Sequence, residues 1–221
     1  MKAHVLVRVW LPDRPGALGQ VASRIGAVRG DIIGVDVLEC DGGVAIDEFA
    51  VNLADDGLLP ILVREIEEVD GASVEEVRVV GHFPDPRLDA LQSAIRLCQV
   101  GSVAELHSTL TGQVREEFLA EWAALVDVGL PPQTPGPSVL ASAGASPPDA
   151  DLLSALAAGV AASPLVARGE TGPEDLAVAR LPHHDVTLMV GRQGYPFRLR
   201  ERGQLIALAG IADRLWELLD D

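Results

Sequence analysis

Asp13-Arg14-Pro15-Gly16-Ala17-Leu18 separates two kinds of periodicity. Before it, Val5, Val7, Val9 and Leu11 alternate with His4, Leu6, Arg8 and Trp10. That period of two is what a strand with one apolar face requires. After it, Leu18, Val21, Ala22, Ile25 and Val28 fall on one stripe of a helix. Pro15 fixes one backbone dihedral, so the turn between them starts rigid. Gly16 has no Cβ, so another backbone or a ligand can approach closely. The amides of Ala17, Leu18 and Gly19 would then open the helix. The first amides of a helix lack intrahelical partners and favour a carboxylate or phosphate. The stretch therefore reads as a plain strand-to-helix turn or as a seat for a small anion.

The pattern continues outward from that turn. Ile33, Val35 and Val37 begin a second strand, and Asp41-Gly42-Gly43 is a hairpin signal. Phe49, Val51 and Leu53 give a third strand, and Asp55-Asp56-Gly57 turns the chain again. Leu58, Leu59, Leu62, Ile66 and Val69 form a second helical stripe, and Val74, Val77 and Val79 a fourth strand. The order βαββαβ predicts an α+β, ferredoxin-like unit with both helices on one face of an antiparallel sheet. The other face is expected to carry Leu6, Trp10, Ile32 and Ile46. Four apolar groups on an uncovered face predict pairing with another domain or subunit.

Residues 82–89 contain Pro84 and Pro86 and read as a linker between a first domain, 1–81, and a second, 90–221. The second domain opens with a helical run on Leu88, Leu91, Ile95 and Leu97-Cys98. Another helical run carries Val103, Leu106, Leu110, Val114, Phe118, Leu119 and Trp122. Strands are expected at 123–128, 139–142, 176–181 and 186–190, with a short one at 195–199. Residues 131–137 hold too much proline for regular structure. Helices are expected on Leu152, Leu153, Leu156 and Val160, and on Leu205, Leu208, Ile211, Ala212, Leu215 and Leu219.

The charge balance argues against a nucleic-acid partner. Residues 1–81 carry 7 basic and 15 acidic side chains, and residues 82–221 carry 10 and 18, so each part is at −8. Phosphate backbones need a positive face. No apolar run is long enough to span a membrane, and the N-terminus leads into an alternating strand rather than a signal-peptide core. Cys40 and Cys98 show neither disulfide nor zinc spacing. These features predict a cytoplasmic protein without a cofactor.

Chemistry-bearing motifs are sparse. His183-His184-Asp185 is the most metal-like cluster, but adjacent histidines on a strand point to opposite faces. Cys98 falls on an apolar helical stripe and reads as a buried thiol. Arg198, Arg200 and Arg202 alternate around Leu199, either as an anion grip or as a solvated edge. No phosphate loop, dinucleotide fingerprint or nucleophile elbow occurs, and no acid, base and nucleophile converge.

The strand, the string Asp-Arg-Pro-Gly-x-Leu and the βαββαβ order together resemble the ACT domain, an amino-acid-sensing module of metabolic regulation. The resemblance implies domains that pair and bind an amino acid between this loop and the second strand of a neighbour. By position, Asp13, Pro15, Gly16, Ala17 and Leu18 fall on the ligand loop, and Ile32 and Ile33 on the facing strand. Residues 90–221 resemble a GAF-type domain in their helices flanking several strands and in the terminal helix. That family's cyclic-nucleotide signature needs an Asn and a Lys, and the chain has only Asn52 and Lys2. The expectation is a non-catalytic, homodimeric regulator that senses an amino acid. The alternatives are an amino-acid-regulated enzyme with a catalytic second domain, and a dimerisation module without ligand.

Overall fold

Strand β1 (Ala3–Pro12) lies inside the first sheet because both of its edges are taken. It pairs antiparallel with β3 (Val44–Leu53), Val5 opposite Val51 and Val7 opposite Phe49, and on its other side with β4 (Ser73–Val80). β2 (Asp31–Asp41) pairs with β3 through a two-residue turn at Gly42-Gly43 and forms an edge. The sheet order is β2-β3-β1-β4. Helices α1 (Ala17–Ala27) and α2 (Leu59–Glu67) connect the strands. Val5, Val7, Val9, Leu11, Phe49, Val51 and Leu53 form one core with Val21 and Ile25 of α1 and Leu62 and Ile66 of α2. A period of two on the strands meets a period of 3.6 on the helices, and each such side chain contributes about 1.5–3 kcal/mol.

The structure is a computed structural model describing residues 3–127, 138–145, 147–167, 170, 172–194 and 196–220. It falls into two units, Met1–Pro84 and Asp85–Asp221. On the second face of the first sheet, Leu6 and Ile46 are buried and Trp10 is partly exposed. Ile32 is not there. It sits opposite Val51 and packs on the helix-covered core. The register shift between Ile32 and Gly34 inserts Ile33 and moves Ile32 to the other face. An ion-pair ladder shares the second face: Arg8 and Arg78 both reach Glu48, at 3.1 and 2.9 Å, and Trp10 Nε1 donates to Glu75.

The predicted linker is partly helix. α3 (Pro86–Cys98) begins inside it, with Pro86 in the first turn and Asp85 accepting from the amides of Arg87 and Leu88. A proline at the first helical position loses no hydrogen bond, and an aspartate cap satisfies two orphan amides. Then come α4 (Val103–Glu117), β5 (Trp122–Asp127), β6 (Ser138–Gly144), α5 (Ala150–Ala162), α6 (Pro164–Ala167), β7 (Leu176–Leu181), β8 (Val186–Gly191) and α7 (Leu199–Asp220). The sheet is antiparallel in the order β6-β5-β8-β7. Leu125, Leu188 and Val190 join Leu97, Leu106 and Leu205 of the helices in one core. Ala124, Val126 and Met189 join Leu153 and Ala157 of α5 in another. With both faces covered, the central strands read as continuous apolar runs.

Four details of the second unit differ from the sequence reading. Trp122 opens β5 rather than closing a helix. Leu199 begins α7 rather than ending a strand, so the arginines do not line a sheet edge; Arg202 is buried and donates to the carbonyls of Leu176 and Pro173. Cys98 is exposed, because α3 turns Ser93 and Leu97 inward and leaves Leu88, Leu91 and Ile95 outside. His183 and His184 lie in the turn between β7 and β8, not on a strand. The expected loop at 131–137, and residues 128 and 195 of two expected strands, lie outside the described residues.

Candidate functional site

The turn after β1 has a defined geometry. Ala17 N donates to Arg14 O at 3.2 Å, and Gly16 adopts φ 90°, ψ −12°. With proline second and a left-handed residue third, residues 14–17 form a type II turn. Glycine is therefore required at position 16 by its dihedral. A side chain there would also meet nothing within 4 Å, so the space over the turn is open. Gly16 caps α1 without a side-chain hydrogen bond, and its carbonyl accepts from Gln20 N at 3.0 Å. Among the described residues, the amides of Leu18 and Gly19 have no partner. Orphan amides at the start of an eleven-residue helix present partial positive charge.

Asp13 ties this turn to the β2–β3 hairpin. Its amide donates to Gly43 O at 2.9 Å, and its Oδ2 accepts from Cys40 Sγ at 3.3 Å. That hydrogen bond, with burial and the charges of Asp13, Asp47 and Asp41, raises the Cys40 thiol above its ordinary value. Asp47 is the group that the sequence reading overlooked. It stands opposite Val9 and Val37 on the helix-covered face of β3, it is 3% exposed, and its Oδ1 is buried without a partner. Burial first, and the charge of Asp13 second, push its carboxyl above the usual range. A signal was present: Ala45, Asp47, Phe49, Val51 and Leu53 share one face by alternation, and only Asp47 is charged.

The expected ligand-loop residues are together. Asp13, Pro15, Gly16 and Leu18 are exposed on one turn, and Ala17 is buried beneath it. Ile32 and Ile33 are elsewhere in the same chain. β2 runs away from the turn, with Cys40 at the near end, so eight residues of strand separate Ile32 from it. At about 3.3 Å per residue that is roughly 25 Å. Ile33 is 52% exposed and Val37 51% exposed on this edge strand.

A second cluster lies in the other unit. His183 Nδ1 is 2.6 Å from Asp213 Oδ2, and His184 Nδ1 is 2.8 Å from Asp213 Oδ1. The His183 amide donates to the same carboxylate at 3.1 Å. His184 stacks on Trp216 at 4.1 Å, and His107 meets that ring edge-on. Burial works to raise the Asp213 carboxyl, but the hydrogen bonds from His184, the His183 amide and the His183 ring outweigh it and hold it below its ordinary value. The expectation that the histidines diverge fails because a turn, unlike a strand, does not alternate its side chains. Among the described residues, no group of three or more His, Cys, Asp or Glu is arranged to hold a metal ion. No helix there is long and apolar enough to cross a membrane.

No family model and no curated protein matches the chain. Solved structures do. The ACT domain from a GTP pyrophosphokinase of Chlorobium tepidum is similar at 16% identity, over 36% of this chain and 100% of that one, with a TM-score of 0.30. A formyltetrahydrofolate deformylase from Pseudomonas putida KT2440 is similar at 16% identity, over 43% of this chain and 38% of that one, with a TM-score of 0.29. A protein from Galdieria sulphuraria is similar at 12% identity, over 98% of this chain and 95% of that one, with a TM-score of 0.34. In its element order and its strand order, the first unit is a ferredoxin-like βαββαβ fold in an α+β chain, similar to that ACT domain.

Proposed function

We propose that the first unit senses a zwitterionic amino acid at the turn of residues 13–19, and that the protein is a regulator rather than a catalyst. The observation that carries this reading is the pairing of opposite polarities at one turn. The unpartnered amides of Leu18 and Gly19 suit an α-carboxylate. Asp13, and the buried unpartnered carboxyl of Asp47, suit an α-ammonium. The type II turn leaves the space over Gly16 open. A phosphate ester carries the anion without the cation and meets two repelling carboxylates.

The exposed apolar side chains of β2 suit a second copy of the chain, whose Ile33 would then face this turn. Ligand binding across such a pair favours the paired state, because a ligand shifts an equilibrium toward the form it binds more tightly.

The test is a thermal-shift screen of the full chain against the twenty amino acids. At a hundred times its dissociation constant, a ligand adds about 2.7 kcal/mol of stability. At least one amino acid is expected to raise Tm, and Asp13→Asn and Asp47→Asn are each expected to abolish the shift. No shift with any amino acid, or a shift untouched by both variants, refutes the reading.

A further inference from the structure

We infer that the second unit carries a separate binding site for a small organic cation with a compact apolar body. A cavity of about 280 Å³ opens at the end of the second sheet where β5 and β7 begin and β8 ends. Its volume lies just below the usual range for small-molecule sites. Leu152 and Leu156 of α5 and Leu176 of β7 make its wall apolar. Trp122 of β5 supplies an aromatic surface. Trp122 and Leu176 both stand opposite Gly191 on the central strand. The Trp122 ring crosses that glycine so closely that an added Cβ would fall 2.3 Å from it. The absence of a side chain at Gly191 is what lets the indole lie across the strand.

The charge of the cavity comes from Glu121 and Asp175, the residues just before β5 and β7. Their backbones are pinned on the two sides of β8: Glu121 N donates to Gly191 O at 3.0 Å, and Arg192 N donates to Asp175 O at 3.1 Å. Among the described residues, neither side chain has a hydrogen-bond or ion-pair partner. Among the described residues the cation in the lining is Arg192, and its guanidinium is engaged elsewhere. The Arg192 guanidinium donates to the carbonyls of Phe118 and Pro196 and to Glu201, each at 2.8 Å, and lies 3.9 Å over the Phe197 ring. Two uncompensated carboxylates beside a tryptophan select an ammonium or guanidinium group, through Coulomb attraction and the ring face, while the leucines take the apolar body. An anion of the same shape meets these two carboxylates and, in Arg192, a guanidinium already paired with Glu201. Nothing in this site draws on the first unit, so it stands or falls apart from the amino-acid reading.

The experiment is calorimetric titration of the full chain with charge-matched probes: 2-phenylethylammonium and 3-methylbutylammonium, the neutral 2-phenylethanol, and the anion 3-phenylpropionate. One-to-one binding of at least one ammonium is expected, about tenfold tighter than the alcohol, which corresponds to about 1.4 kcal/mol. The anion is expected to give no saturable heat. The double variant Glu121→Gln, Asp175→Asn should reduce the ammonium to the affinity of the alcohol, with the alcohol unchanged. Leu156→Trp, which fills the cavity without touching the charges, should remove both. The inference is overturned if neither ammonium saturates, if the anion binds as well, or if the double variant leaves ammonium affinity intact.

Discussion

Asp213, on α7, holds the ring of His183 at 2.6 Å from a position 30 residues away in the chain. The same carboxylate takes His184, and through it the stacked Trp216. The β7–β8 turn is therefore fastened to the terminal helix by one acidic side chain that is 2% exposed.

A pH dependence follows from that fastening. The hydrogen bond to Asp213, then the charges of Glu217 and Asp213, raise the His183 ring above its ordinary 6.5, with Arg214 opposing. His184, His107 and Asp220 also face the cluster. A raised folded pKa means stability that is fully present below the unfolded value and is lost as pH rises through the folded one. Asp213 is depressed from 3.8, so its contribution is present above that value and is lost as pH falls through the folded one. The contribution of this pair, read as the difference between the parent and Asp213→Asn in urea unfolding, should thus be largest between about pH 4 and 6.5 and decline above it, while His107, lowered by burial, opposes it at the acid end. Asp213→Asn should cost about 1–3 kcal/mol at that maximum. A His183 ring that titrates at or below 6.5 by NMR contradicts the account.

Asp47 has the opposite sign. Its folded pKa is raised, so the buried carboxylate destabilises the fold at neutral pH, and stability is regained as pH falls through the raised value. Asp47→Asn should stabilise the free protein near pH 7.5 by about 1 kcal/mol and less near pH 5. The same change should abolish amino-acid binding. A residue whose replacement strengthens the fold and removes a ligand is held for function. Calorimetric melts at the two pH values decide it, and a variant less stable than the parent at both counts against it.

Gly16→Ala should cost about 1 kcal/mol, because an alanine at φ 90° is strained while the space around it is empty. Asparagine, which tolerates the left-handed region, should cost less. Equal losses for both in chemical denaturation would mean that packing and not dihedral strain sets the requirement.

Cys40 and Cys98 are both exposed, yet they should not react alike. The hydrogen bond to Asp13 raises Cys40 and thins its thiolate, and the thiolate is the nucleophile. Cys98 has no such partner among the described residues. Maleimide labelling near neutral pH, followed by peptide mapping, should find Cys98 modified first. Asp13→Asn should speed Cys40 and leave Cys98 unchanged. Faster labelling of Cys40 in the parent protein would refute the Asp13 contact.

Much of this protein was legible because local rules agreed with each other. The alternation of Val5, Val7, Val9 and Leu11, the Pro15-Gly16 turn and the stripe of Val21 and Ile25 each predict the element that forms there. Ile32 escaped because a bulge reverses alternation, and bulges leave no sure mark in composition. Pro86 was read as a breaker although the first turn of a helix accepts it, with Asp85 as its cap. Cys98 and Leu97 are neighbours on α3, and which of them faces the core depends on what packs against the helix.

By itself, then, the sequence determined the periods: the βαββαβ order of the first unit and its turns, Pro15-Gly16 among them, while the left-handed dihedral that makes that turn type II came from the structure. Only the tertiary structure decided which charges are stranded and which are shared. Asp47 is buried without a partner, Asp213 gathers two histidines, and Glu121 and Asp175 flank a strand far from both in sequence. Periodicity is set by bonds between near neighbours along the chain. The state of a charge is set by water and by groups brought from dozens of residues away, and those exist only once the sheets have formed.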